Sequence, residues 1–188
     1  FSGWQRQKDR PTIQAEIENA LQTMLRAPVK LIGSGRTDAG VHALGQVAHF
    51  HCETPRTATE IFKALNSLLP DAIVIRSCTQ VAHGFHARFD AMRKTYQYRI
   101  LNRALPTAIG RQYVWHLRRD LNRSAMQAAA ARLVGRHDFR SFEGTGSPRS
   151  STVRTVFRCE WQVEDLDRLT LHLCADGFLR YMVRNIVG

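Results

Sequence analysis

Residues 33–46 read GSGRTDAGVHALGQ, with Arg36 and Asp38 two positions apart among four glycines. A carboxylate acts as a nucleophile only when ionised, and a neighbouring guanidinium favours the ionised form. A structural ion pair that ties down a loop is the competing reading of the same spacing. The stretch fails the familiar glycine-rich templates. A phosphate loop needs Lys followed by Ser or Thr, a dinucleotide fingerprint needs a glycine where Asp38 stands, and a nucleophile elbow needs one where Ile32 stands. The glycines therefore read as points of tight turning and close ligand approach.

Three other groups of residues could do chemistry. His42, His49, His51 and Cys52 suggest a metal site. His49 and His51 would share a strand face, but Cys52 points away and no fourth ligand has a usual spacing, so no metal is expected. HGFHARFDAMRKTYQYRILN, from 83 to 102, mixes basic and aromatic residues as base stacking and phosphate contact require. Arg88, Arg93 and Lys94 here, with Arg6 and Arg180 elsewhere, are candidate RNA contacts. Tyr98 reads as core, whereas Tyr96 fits either core or ligand contact. In DGFLRYMVRNIVG, Phe178, Met182, Ile186 and Val187 recur at helical spacing, leaving Arg180 and Arg184 on another side. Such closely flanked arginines are expected to be part-buried and to want a carboxylate, for which Asp38 is a candidate.

The elements that must position these groups alternate helix and strand. Ile13, Ile17, Ala20, Leu21, Met24 and Leu25 predict a helix capped by Thr12 and ended by Pro28. VKLIGSG and GQVAHFHC read as strands, 59–69 as a helix, and AIVIRSCTQVA as a third strand. Then KTYQYRILN and YVWHL read as strands, 122–134 as a helix, TVRTVFRCEWQV and RLTLHLCAD as a hairpin turning at 165–168, and RYMVRNIVG as a final helix. EGTGSPRSS at 143–151 reads as a flexible loop. These predict an α+β protein of two halves, 1–90 with the Asp38 loop and 91–188, with mostly antiparallel sheets and helices on one face.

Composition narrows the partner. The 188 residues carry 27 Lys+Arg against 16 Asp+Glu, a net charge of +11, and arginine supplies most of the excess. Arginine's planar fork suits phosphate, so a nucleic-acid partner is expected over a neutral sugar. Four scattered cysteines without a C-x-x-C fit a reducing cytosol. No apolar run approaches the ~18 residues of a membrane span. The abrupt FSGWQRQ start and MVRNIVG end read as cut from a longer protein.

GSGRTDAGVHALGQVAHF closely resembles the signature of the tRNA pseudouridine synthase A family. FSGWQRQ, FHARFDAMRKTYQYRI and MVRNIVG resemble that family's N-terminal, tyrosine and late-helix motifs, in the same order. The resemblance implies isomerisation of uridine to pseudouridine at tRNA positions 38, 39 and 40 of the anticodon stem-loop, with no cofactor or metal. It makes Asp38 the nucleophile, with Arg36 beside it in the same motif, has Tyr96 contact the target uracil, and has Arg184 pair with the aspartate. It also implies two ferredoxin-like (RRM-like) halves sharing an extended, mostly antiparallel sheet, a cytoplasmic homodimer and a basic cleft. Family members normally begin with a further strand and continue past MVRNIVG, so a fragment truncated at both ends is expected. The competing functions are a non-catalytic tRNA-binding module and a family member that modifies other RNA positions. A glycoside hydrolase is disfavoured, because Asp38 has no obvious acid partner.

Overall fold

The computed structural model describes residues 1–146 and 150–188, so the loop expected at 143–151 falls partly outside the described residues. The chain divides into two compact units, Phe1–Ala91 and Met92–Gly188.

In the first unit, α1 (Ile13–Leu25) starts where the Thr12 side chain accepts the Ala15 N–H. It ends on Arg26, whose left-handed backbone (φ 55°) closes the last turn onto Gln22. A second helix, α2 (Ala58–Leu68), begins with a capping box. Glu60 N–H donates to the Thr57 hydroxyl, and the Glu60 carboxylate accepts the Thr57 N–H at 2.7 Å. Ile17, Ala20 and Leu21 of α1 and Ile61 and Leu65 of α2 form a core with Trp4 and Leu31. Beside it runs a short antiparallel ribbon, β1 (Ile32–Gly33) with β2 (Ala48–His49), pairing Ile32 with His49.

This ribbon is shorter than the sequence predicts, and 72–82 forms no strand at all. Helix side chains have taken the backbone groups that a strand partner would use. Glu18 accepts the Leu31 N–H and Gln14 donates to the Leu31 carbonyl, each at 3.0 Å. Asn66 does the same for Ile75, accepting its N–H at 2.8 Å and donating to its carbonyl at 2.9 Å. Alternating hydrophobicity shows which residues are half-buried, but not whether the hydrogen-bond partner is a strand or an amide side chain.

The second unit holds β3 (Lys94–Asn102), β4 (Trp115–Leu117), α3 (Arg123–Ala131), β5 (Gly135–Asp138), β6 (Val153–Val163), β7 (Arg168–Ala175) and α4 (Met182–Val187). Its sheet runs β4-β3-β7-β6-β5, with β3–β4 parallel and the other pairs antiparallel. Leu171, Leu173 and Ala175 point to one face, where Ala130 of α3 and Met182 of α4 complete a buried core with Phe139. Register places Thr95, Cys174 and Arg158 in one row of the opposite face, and Gln97, His172 and Glu160 in the next. That face is polar, so the helices cover a single side. A bulge at Phe157 resets the alternation of β6, so that Val156 and Cys159, three apart, both enter the core. The sequence gives no sign of β5 or of this bulge. The α+β class holds: the described residues form a mixed five-stranded sheet, a short antiparallel ribbon and four α-helices.

Candidate active site

The Asp38 loop is clamped through its backbone while its charged side chains stay outside. Trp4 N–H donates to the Thr37 carbonyl at 3.0 Å, and the Gln46 side chain donates to the Gly35 carbonyl at 2.6 Å. Ser34 N–H reaches the Val47 carbonyl at 2.8 Å, and Val41 N–H turns back to the Asp38 carbonyl at 3.2 Å. Arg36 and Asp38 are both exposed. Two glycines allow this close seating. Gly3 has φ +98°, and a Cβ there would stand 2.7 Å from the Thr37 carbonyl oxygen; one on Gly33 would meet the buried Trp4 indole at 2.6–2.7 Å.

A buried polar network behind the loop ties FSGWQRQ to α1. Glu18 accepts from Arg6 Nε at 2.7 Å, from Gln14 Nε2 at 3.0 Å and from Leu31 N–H. Gln14 also accepts from the Gln5 side chain and the Arg6 N–H, while its own N–H donates to the Trp4 carbonyl. Gln14 and Glu18 lie on the buried side of α1, a placement the periodicity of apolar residues could not reveal. Their signal was a Gln-x-x-x-Glu spacing that puts two hydrogen-bonding side chains one turn apart. Arg6, a candidate RNA contact, is thus engaged within the protein.

The remaining candidates for contact with RNA or its uracil belong to the second unit, apart from Arg88, which lies with its guanidinium 5.5 Å from the Phe89 ring centre in the first. Tyr96 is half-buried, its ring edge-on to Phe178 at 4.9 Å. Tyr98 packs against the core and stands edge-on to Trp115, as its core reading requires. Lys94 opens β3 opposite Ala175, and the Arg93 guanidinium lies over Phe157 at 4.8 Å. Arg180 and Arg184 are exposed, which corrects the expectation that they are part-buried. Instead of entering the core, both guanidiniums gather on the Tyr181 ring, at 4.8 and 5.9 Å, one from before α4 and one from within it. Tyr181 itself has φ 60° at the start of α4, and its neighbour Arg180 donates to the Thr145 carbonyl at 2.7 Å. The R-Y-x-x-R spacing was the one sequence signal for this cluster.

Four of the eight histidines, His49, His51, His83 and His86, form a cluster of rings. His49 is buried, and its Nδ1 accepts the Ala87 N–H at 3.1 Å, which fixes the neutral ring. Burial, and then the charges of His86 and His51, hold its pKa below the ordinary value, with Asp90 opposing. The His86 and His51 rings lie 4.8 and 5.5 Å from His49, and His83 lies 5.4 Å from His51. Among the described residues no group of three or more His, Cys, Asp or Glu side chains is arranged to hold a metal. A groove of about 610 Å³ in the second unit, lined by Arg123, Met126, Gln127, Trp161 and Leu169 among others, contains none of the candidate site residues.

A family model described as tRNA pseudouridine synthase matches residues 1–90 and 129–188, taking in the clamped Asp38 loop, Gln14, Glu18 and Tyr181. The chain belongs to the tRNA pseudouridine synthase family. It is 44% identical over 188 residues to tRNA pseudouridine synthase A of Thermoanaerobacter sp. (strain X514), a match covering 100% of this chain and 77% of that relative. It is 43% identical to tRNA pseudouridine synthase A 2 of Clostridium tetani, over 100% of this chain and 76% of the relative. A third relative, tRNA pseudouridine synthase A 1 of Desulfotalea psychrophila, is 43% identical over 100% and 77%. Membership makes the chain an isomerase of the pseudouridine synthase class. No helix among the described residues is long and apolar enough to cross a membrane.

Proposed function

We propose that this pseudouridine synthase isomerises uridines 38, 39 and 40 in the anticodon stem-loop of tRNA, with Asp38 as its nucleophile. The observation that carries the reading is the Asp38 loop itself, whose backbone is fixed by Trp4, Gln46 and the Gly3 contact while the residue that bears the carboxylate is exposed. A fixed carboxylate at the surface suits a base that must be flipped out of its stem to be reached. The reaction breaks the bond from ribose C1′ to uracil N1 and forms one from C1′ to C5. N1 gains a proton and C5 gives one to water, so substrate and product are isomers and no electrons are exchanged. The carboxylate serves this exchange by attack on C1′, by assisting loss of uracil, or by addition at C6.

Arg36 adjoins the nucleophile, Tyr96 contacts the target uracil and Arg184 pairs with the aspartate, the roles that the family motifs imply. The ring of Tyr96, braced edge-on by Phe178, suits stacking on uracil better than proton removal, since a free phenol ionises only near pH ~10. The excess of arginine holds the tRNA backbone, with Arg88, Arg93, Lys94 and Arg180 among the contacts. We assign a cytoplasmic setting, which the scattered free thiols suit, and a homodimer as the working form.

The test is release of tritium from tRNA transcript labelled at uridine C5, beside Asp38→Asn, with the modified positions mapped in the product. Release by the parent, and none by the variant, is expected. Equal release from both would remove Asp38 from the chemistry. Bound tRNA without release from either would leave a binding module.

A further inference from the structure

One exposed aromatic, Phe89, sits in surroundings built for a ligand. Phe89 is 73% exposed although His86 stacks on it, with ring centres 4.1 Å apart and planes inclined by 25°. The Arg88 guanidinium lies over the same ring, 5.5 Å from its centre. An isolated exposed Phe is ordinary; one held rigid is less so.

The rigidity comes from the backbone of 86–90. His86 Nδ1 accepts the N–H groups of Arg88 and Phe89, each at 3.2 Å, and the His86 carbonyl accepts those of Phe89 and Asp90. The carboxylate of Asp90 reaches back to the His86 N–H at 2.8 Å. Ala87 is buried, and its N–H is held by buried His49 on the ribbon. Every backbone N–H from 86 to 90 thus has a partner within the protein, so the turn that carries the ring needs no further ordering on binding.

We propose that Phe89, seated on His86, is a stacking platform for an unpaired nucleobase of the bound tRNA, with Arg88 contacting the adjoining phosphate. This rests on the reading that the chain binds tRNA. The choice of occupant follows from charge and shape. A flat π-face beside a guanidinium, on a chain of net charge +11, matches a base attached to an anionic backbone. A second copy of the chain would bring a like charge to the same place. Phe89 is therefore a positioning residue: it fixes where the RNA lies and takes no part in bond exchange.

The experiment measures tRNA-transcript affinity by fluorescence anisotropy across a range of salt for the parent, Phe89→Ala, Phe89→Leu, Phe89→Trp and Arg88→Gln, with tritium release from the parent run in parallel. Loss of the ring in the Ala and Leu variants is expected to raise Kd about tenfold with an unchanged salt slope, while Trp stays within about threefold of the parent. Arg88→Gln is expected to lower the salt slope by about one. The comparison of Leu with Trp holds even where Ala perturbs the turn. Leu binding as tightly as Phe would overturn the proposal, since apolar cover and not stacking would be what mattered. Unchanged tRNA affinity with altered sedimentation would overturn it in favour of contact between copies. A parent that neither binds tRNA nor releases tritium would remove the underlying function, whereas a parent that does both beside unaffected Phe89 variants would remove only the platform.

Discussion

Substituting Gly3 by alanine tests whether the N-terminal segment sets the position of the nucleophile. The residue has φ +98°, a conformation that costs an L side chain about 1–2 kcal/mol. The new Cβ would lie 2.7 Å from the Thr37 carbonyl oxygen, 3.3 Å from Asp38 C and 3.3 Å from Ala39 N. All three are backbone atoms, so no side chain can swing aside, and the loop must move as a unit. Forcing that shift costs roughly a further 1–3 kcal/mol. The expected loss is therefore about 2–5 kcal/mol, read as a lower urea midpoint. The displaced backbone belongs to Asp38 and its two neighbours, so kcat for tritium release should fall by roughly 100-fold while Kd for tRNA changes little. Gly45→Ala is the control: it lies in the same loop, has nothing within 4 Å of its added Cβ, and is expected to stay within about 0.5 kcal/mol of the parent. A Gly3→Ala protein with the stability and kcat of the parent would refute the claim that residue 3 seats the loop.

Two further expectations come from the same unit. Glu18→Ala strands the buried Leu31 N–H and removes the partner of Arg6, so urea denaturation should show a loss of about 3–5 kcal/mol, whereas Glu18→Gln, which keeps one acceptor, should lose about 1–2 kcal/mol. For His49 the folded pKa lies below the unfolded 6.5, because burial and then His86 and His51 oppose its charge. Protons therefore bind the unfolded chain more readily. The stability is present in full above pH 6.5 and declines as pH falls through 6.5 toward the folded value. Urea midpoints measured from pH 7.5 down should drop in that window and flatten in His49→Gln; an unchanged slope in the variant would assign the effect to another group.

Local rules read from the sequence located the Thr12 cap of α1, the β6–β7 hairpin and the strand that carries Tyr96 and Tyr98, because each depends on residues close in the chain. Thr12 and the apolar stripe of α1 need only one another, as do the alternating residues of β3. The Arg36–Asp38 motif was also legible, since eight consecutive residues carry it whatever surrounds them. What holds that motif was not legible. Trp4, Gly3, Gln14 and Glu18 reach the loop and its leading strand across long stretches of chain, and hydrogen bonds between distant residues leave no periodic trace. The same limit hid the two missing strand segments, where Glu18, Gln14 and Asn66 replace a strand partner, and the approach of His49 to His86, whose ring stacks on Phe89. Sequence determined which residues seek burial, charge or a turn; tertiary structure decided which donor meets which acceptor, because that depends on the three-dimensional approach of segments the chain itself keeps apart.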